Sequence, residues 1–361
     1  MSEAEELGKI RNRIDAIDRQ IHELLNQRAK EAMEVARIKL SEDPNAVFYR
    51  PEREAQVLRK VKERNEGPLD DEEVARLFRE IMSACLALEN PLRVAFLGPA
   101  GTFTQAAALK HFGHSVRTEP MSSISEVFQE VETEAADYGV VPVENSTEGV
   151  VNHTLDMFLK SPLQICGEVS LRIHHNLLGK GQPLEQLKVV YSHQQSLAQC
   201  RSWLDRHLPF VERVAVGSNA EAAKLAAESD NAAAIASSMA AELYGLDTLS
   251  ANIEDEPGNT TRFLVIGRHG TMPSGADKTS LLLSTRNEAG GLYRMLKPLS
   301  DHGISMSRIE SRPSRRGNWD YVFFIDLVGH RDDPDLAKAL GELHGTAGMF
   351  KELGSYPQAV L

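Results

Sequence analysis

The chain has 361 residues, 42% hydrophobic and 25% charged, and its 52 acidic against 40 basic side chains give a formal net charge of −12. That length asks for two or three domains, and the acidic balance excludes a general nucleic-acid surface while leaving room for a local basic pocket. Cys85, Cys166 and Cys200 are too scattered for a disulfide framework or a zinc site. No secretory h-region opens the chain, and no apolar run nears the ~20 residues of a membrane span. We therefore expect a cytoplasmic protein with no membrane partner and no metal.

From Glu3 to Leu40 there is no proline, and Leu7, Ile10, Ile14, Ile17, Ile21 and Leu24 recur by threes and fours. This spacing predicts one helix. Unbroken, it would run about 55 Å at ~1.5 Å per residue, longer than a compact domain of this size covers, which predicts a helical dimer. Pro44 and Pro51 break the pattern; helices over 52–65 and 70–89 follow, ended by Asn90-Pro91. Residues 1–91 read as an all-helical unit.

On the first helix Arg28 and Lys39 lie ~20° apart around the axis, so their side chains converge on one small anion. Arg11 is roughly 100° off that face and reaches the same anion only from a partner chain. The plainer alternative is that all three are solvated surface cations. Together with Pro51-Glu52-Arg53 and a third helix ending Cys85…Glu89, they resemble the all-helical chorismate mutases. The resemblance implies an intertwined dimer that rearranges chorismate to prephenate, a pericyclic step needing no nucleophile and no cofactor. Arg11 and Arg28 would bind the two carboxylates, Lys39 face the ether oxygen, Glu52 accept the substrate hydroxyl, and Cys85 join the substrate pocket. Glu89 stands where some members carry glutamine, and a carboxylate there helps only when protonated, so burial must raise its pKa against Lys39. Pro51 stands where other members have arginine; whether Arg50 or Arg53 takes its place stays open.

From Arg93 the texture is α/β. Strands are predicted near 94–98, 138–143, 188–192, 231–237 and 263–267, and helices over 104–112, 124–136 and 195–207. Their alternation predicts a mainly parallel sheet, and residues 93–269 suffice for two small lobes with a cleft. Gly98-Pro-Ala-Gly-Thr-Phe-Thr104 follows a strand and opens a helix, exposing N–H groups suited to a carboxylate, although βα turns need glycine anyway. Its G-x-x-G spacing is not a dinucleotide fingerprint. Val141-Pro-Val-Glu-Asn-Ser-Thr-Glu-Gly149 and Asn259-Thr-Thr-Arg-Phe263 put polar groups at strand ends. Adjacent His174 and His175 on a strand point to opposite faces and cannot easily share an ion.

With Tyr191-Ser192-His193 and Gln199, these elements resemble the prephenate dehydratases, whose hallmarks include Glu-Asn and Thr-Arg-Phe. The resemblance implies a periplasmic-binding-protein-like pair of lobes in which prephenate loses its ring hydroxyl as water and a carboxylate as CO2, giving phenylpyruvate. Thr261 would donate a hydrogen bond to the leaving group. Glu144, Asn145, Ser192, Gln199 and Arg262 would hold the substrate, and the proton source stays open between Glu144 and a relayed water.

After the linker-like Gly270–Ala276, the pattern over 277–357 is βαββαβ, the ferredoxin-like order. Gly290-Gly291-Leu292 and Glu310-Ser311-Arg312-Pro313 resemble the ACT domains, which implies L-phenylalanine bound there as an allosteric inhibitor. All three units, in this order, resemble the bifunctional chorismate mutase/prephenate dehydratases, working as a homodimer or higher homo-oligomer. Two other readings stand beside it. A mutase fused to a prephenate dehydrogenase lacks its G-x-G-x-x-G here, and a non-catalytic amino-acid sensor has no use for the spaced cations or Thr-Arg-Phe.

Overall fold

The computed structural model describes residues 3–44, 46–285, 288–313 and 321–361. Helix α1 (Glu3–Glu42) is continuous, about 60 Å at ~1.5 Å per residue. Acidic residues in its first turn and Lys39 in its last favour the helix dipole. Helix α2 (Pro51–Glu63) starts on a proline that needs no N–H partner. Helix α3 (Asp71–Glu89) is capped by Asp70, whose side chain accepts the Glu73 N–H. Only Ala36 of α1 is buried, and the predicted stripe from Leu7 to Leu24 lies open, Leu24 being 62% exposed.

The next unit is two mixed sheets. The first lobe contains β1 (Arg93–Leu97), α4 (Phe103–Phe112), β2 (Arg117–Met121), α5 (Ile124–Glu132), β3 (Tyr138–Asn145), β4 (Gly149–Val150), α6 (Asn152–Phe158) and β5 (Gln164–Arg172). The second contains β6 (Asn176–Gly179), β7 (Val189–His193), α7 (Gln194–Gln199), α8 (Arg201–His207), β8 (Glu212–Val216), α9 (Asn219–Ala227), β9 (Ala232–Ala236), α10 (Ser238–Tyr244) and β10 (Asp247–Ser250). Strand β11 (Thr260–Gly267) then returns to the first lobe, giving sheet orders β2-β1-β3-β11-β5 and β10-β6-β9-β7-β8. The expectation of a mainly parallel sheet is corrected here. β11 runs antiparallel to both β3 and β5, and β6 antiparallel to β9 and β10, because the chain crosses between lobes twice and comes back reversed. The single helix expected over 195–207 breaks at Cys200 into α7 and α8.

The last unit is β12 (Asp277–Ser284), α11 (Gly291–Asp301), β13 (Met306–Pro313), β14 (Tyr321–Val328), α12 (Pro334–Thr346) and β15 (Met349–Pro357), with strand order β13-β14-β12-β15. One face of this sheet packs on α11 and α12 through Leu281, Leu283, Ile325 and Leu340. The other sends Leu282, Phe324, Leu353 and Tyr356 into the same core as Phe128, Phe158 and Ile165 of the first lobe. Gly354 sits at the crossing of β15 over β5, where a Cβ would stand 2.2 Å from the Ile165 carbonyl oxygen; only glycine permits that approach.

On its other side the first lobe receives Tyr49, from the segment between α1 and α2, packed among Phe112, Tyr138 and Val140. Burial pushes the His111 imidazole down to about 3, so its neutral ring pairs with the Tyr49 hydroxyl at 2.8 Å. The first lobe is thus the hub on which the helical unit and the C-terminal sheet both dock. Among the described residues, no helix is long and apolar enough to cross a membrane.

Candidate active sites

The helical unit brings Arg28, Lys39 and Glu89 together. Burial raises the Glu89 carboxyl above its ordinary pKa, while Lys39 and Arg28 pull it down without cancelling that rise. Lys39 Nζ donates to the Val47 carbonyl at 3.3 Å and lies 5.6 Å over the Phe48 ring, so the segment leading to α2 fixes its head group. Cys85 is buried one turn before Glu89 on α3. Glu52 is buried at the second residue of α2 and pairs with Arg50 Nε at 2.6 Å, whereas Arg53 faces solvent. Arg50, not Arg53, is therefore the arginine paired with Glu52. Arg11 is exposed, 17 residues before Arg28 and roughly 25 Å from it along the helix. One chain does not bring it to the others.

The cleft between the lobes holds a second cluster. Register pairs Thr261 on β11 with Asn145 on β3, side by side on one face of the sheet. The Asn145 Oδ1 accepts the backbone N–H groups of Thr147 and Glu148, both at 3.0 Å, which fixes which way its amide points. Its Nδ2 therefore donates, at 2.8 Å each, to Asn259 Oδ1 and Thr261 Oγ1. Asn259 Nδ2 in turn donates to Gln199 Oε1 at 3.2 Å. With its oxygen accepting from Asn145, the Thr261 hydroxyl keeps its own proton for a further acceptor. Gln199 Nε2 and Gln195 Nε2 point to Glu148 across the cleft, each at 3.3 Å. A cavity of about 380 Å³ opens beside Gln199, Glu148 and Asn259.

Three expected members of this cluster lie elsewhere, and each has a physical reason. Glu144 and Arg262 are register partners one residue before Asn145 and one after Thr261, so the pleat turns them to the opposite face of the sheet. Arg262 is spent there on Glu168 at 2.9 Å, Asp326 at 2.5 Å and the Tyr356 hydroxyl at 3.0 Å. Burial alone would lower its pKa, but Tyr356, Asp326 and Glu168 together carry it above the ordinary guanidinium range. Glu144 pairs with Arg308 of β13 at 3.0 Å. Both join the first lobe to the C-terminal sheet. Ser192 is fully buried, its hydroxyl 2.9 Å from both Asn219 Oδ1 and the Ile235 carbonyl, so it sets the start of α7 from below. The glycine turn is also partly used up, since the Gly101 N–H donates to Gln105 Oε1 at 2.7 Å.

In the C-terminal unit, Ser284, Val322 and Arg312 stand in register across β12, β14 and β13. Gly290-Gly291-Leu292, which follows β12, and Glu310–Pro313 therefore lie at the same end of the sheet. Gly290 has φ +74°, which a side chain would strain. Gly291 is buried, Leu292 and Ser311 are exposed, and Pro313 is the last residue of β13, which lies at the end of the strand order. Arg312 reaches off the sheet to Asp156 at 3.0 Å and to the Asn152 carbonyl at 2.6 Å, both on α6 of the first lobe.

Three family profiles match the chain in succession: Chorismate mutase type II over residues 10–90, Prephenate dehydratase over 94–271 and ACT domain over 279–345. A bifunctional chorismate mutase/prephenate dehydratase of Stutzerimonas stutzeri is 59% identical over 365 residues, covering 100% of both chains. The chain belongs to the bifunctional chorismate mutase/prephenate dehydratase family. It is an enzyme with both activities, an isomerase and a lyase. Among solved structures, the prephenate dehydratase of Arthrobacter aurescens in complex with L-Phe is 36% identical, with a TM-score of 0.68 over 74% of this chain and 90% of that one. A quorum-quenching acylase, GqqA, is 30% identical with a TM-score of 0.69, over 74% of this chain and 98% of that one. That last likeness shows one fold hosting different chemistry, so the assignment rests on the site residues and on the full-length relatives.

Proposed function

We propose that the chain makes phenylpyruvate from chorismate in two steps of L-phenylalanine synthesis, and that L-phenylalanine inhibits it at the C-terminal unit. Residues 1–91 carry the mutase, 93–269 the dehydratase and 277–357 the sensor. In the first step Arg28 and a second copy's Arg11 hold the two carboxylates in the folded conformer, Lys39 and protonated Glu89 face the ether oxygen, and Glu52 accepts the ring hydroxyl. Cys85 packs against the ring. The open stripe on α1 supports a second copy of this chain as the partner, since about half of each helix otherwise has nothing to bury against.

In the second step one proton enters, and water and CO2 leave as the ring becomes aromatic. Thr261 donates its free hydroxyl proton as a hydrogen bond to the departing oxygen; Asn145 and Gln199 orient the substrate. The observation that carries this reading is the fixed polarity of Asn145, which leaves Thr261 a donor toward the cleft. A relayed water is the remaining proton source, because Glu144 faces away. Neither step exchanges electrons with a second reactant.

For the sensor, Gly290, Gly291, Leu292, Glu310, Ser311, Arg312 and Pro313 form the effector site at one end of the sheet. The L-Phe complex of the Arthrobacter relative supports the ligand. Feeding chorismate to the purified full chain tests the whole reading: prephenate and then phenylpyruvate should accumulate, and added L-phenylalanine should suppress phenylpyruvate. Prephenate accumulating without phenylpyruvate, with or without L-phenylalanine, contradicts it.

A further inference from the structure

His175 lies where the chain first crosses between lobes and is 2% exposed. Its backbone is held on both sides: the N–H donates to Glu254 Oε2 at 3.0 Å, and the carbonyl accepts the Ile253 N–H at 2.8 Å. The neighbouring His174 turns the other way, its Nδ1 2.8 Å from Glu254 Oε1. The His175 ring stands edge-on to Phe103, 5.8 Å between centroids, at the start of α4. Its Nε2 is 2.8 Å from Gln199 Oε1, and its Nδ1 is buried with no hydrogen-bond partner among the described residues.

The hydrogen-bond chain already described decides where the imidazole proton sits. Two backbone N–H groups orient Asn145, Asn145 orients Asn259, and Asn259 requires an oxygen from Gln199. An oxygen facing His175 can only accept, so Nε2 carries the proton and Nδ1 the lone pair. Burial also disfavours the imidazolium. We propose that His175 is a positioning residue of the dehydratase site, holding the Gln199 carboxamide so that its NH2 is presented to the cleft. The inference rests on the dehydratase reading of this cleft and adds to it the group that sets the Gln199 amide.

The test uses the full chain, whose mutase activity reports folding in the same tube. His175→Phe keeps a ring against Phe103 but has no donor; His175→Gln puts an N–H close to the lost Nε2. We expect His175→Phe to lower dehydratase kcat/KM roughly tenfold to a hundredfold, the scale of a misplaced contact group, with mutase activity unchanged. His175→Gln should recover most of the loss. In a Gln199→Ala background, His175→Phe should cost nothing further, because it acts through Gln199. Losses that simply multiply, or a His175→Phe enzyme as fast as the parent, overturn the proposal.

Nitrogen-15 shifts of the histidine rings in the unaltered chain test the same point should His175→Phe fail to fold. Nε2 protonated and Nδ1 bare supports the proposal; the reverse tautomer overturns it, since Gln199 would then have to be turned round. This readout needs no dehydratase turnover, so it separates a failure of this inference from a failure of the reading of the cleft.

Discussion

In the mutase unit the side chains drawn together, Arg28, Lys39 and Glu89, are ionisable, and Arg11 lies in the exposed half of α1. In the dehydratase cleft Asn145, Asn259, Gln199 and Thr261 carry no charge and close a hydrogen-bonded chain within one protomer. The substrates are closely related dianions, so the difference reflects the chemistry asked of each site. A pericyclic rearrangement must fold two carboxylates toward each other and stabilise charge on an ether oxygen, which guanidinium and ammonium groups do well. An elimination must hand a hydrogen bond to a leaving hydroxyl, which calls for donors of fixed direction, and the polarity of this cluster is fixed from two backbone N–H groups outward.

The largest expected effect is a clean separation of the two activities. Lys39→Ala should cost about 10²–10³-fold in mutase kcat, and Thr261→Ala a similar factor in dehydratase kcat, the scale for losing one preorganised charge-stabilising or donor group. Each variant should leave the other activity near the parent's when prephenate or chorismate is supplied separately. A variant that lost both would erase the distinction between the sites.

Arg262→Leu probes the far side of the catalytic strand. It leaves Asp326 buried without its guanidinium partner, so we expect a loss of about 3–5 kcal/mol in stability, the scale for breaking a buried pair. Dehydratase turnover of the folded fraction should stay within severalfold of the parent. A stable but inactive Arg262→Leu enzyme would return this arginine to the substrate.

Smaller, and confined to the mutase, is a pH effect at Glu89. The protonated carboxyl is the useful form and burial raises its pKa, so mutase activity should be highest below that pKa and fall as pH rises through it. Glu89→Gln, which cannot ionise, should flatten the mutase profile and leave that of the dehydratase alone. An unchanged mutase profile would remove Glu89 from the reaction.

Much of this was legible in the residues. The three-and-four spacing of Leu7 to Leu24 predicted α1 and an apolar stripe along its first half, which is exposed in the structure, and Thr261 and Asn145 were marked by the strand-end clusters. The βαββαβ order followed from apolar runs separated by glycine and proline. What the residues hid was mostly a matter of side. Glu144 and Arg262 belong to the same short segments as Asn145 and Thr261, and only strand register tells which face each takes. The antiparallel return of β11 depends on contacts more than 90 residues apart in sequence, such as Arg262 to Glu168. The roles of Ser192 and His175 were hidden for another reason: burial and tautomer depend on neighbours, and a histidine beside a second histidine looks the same whether or not it orients a glutamine. Helix α9 did leave a signal, Ser218 capping Glu221 three residues on.

The central claim is that the mutase site takes residues from two chains while the dehydratase site is complete in one. Mixing Arg11→Ala and Lys39→Ala chains in equal amounts, with subunit exchange, tests it most directly. If Arg11 serves the partner's site, each mixed dimer has one intact mutase site, and activity should return to about a quarter of the parent's under random pairing. No recovery above the two separate variants, with exchange verified, would contradict the account.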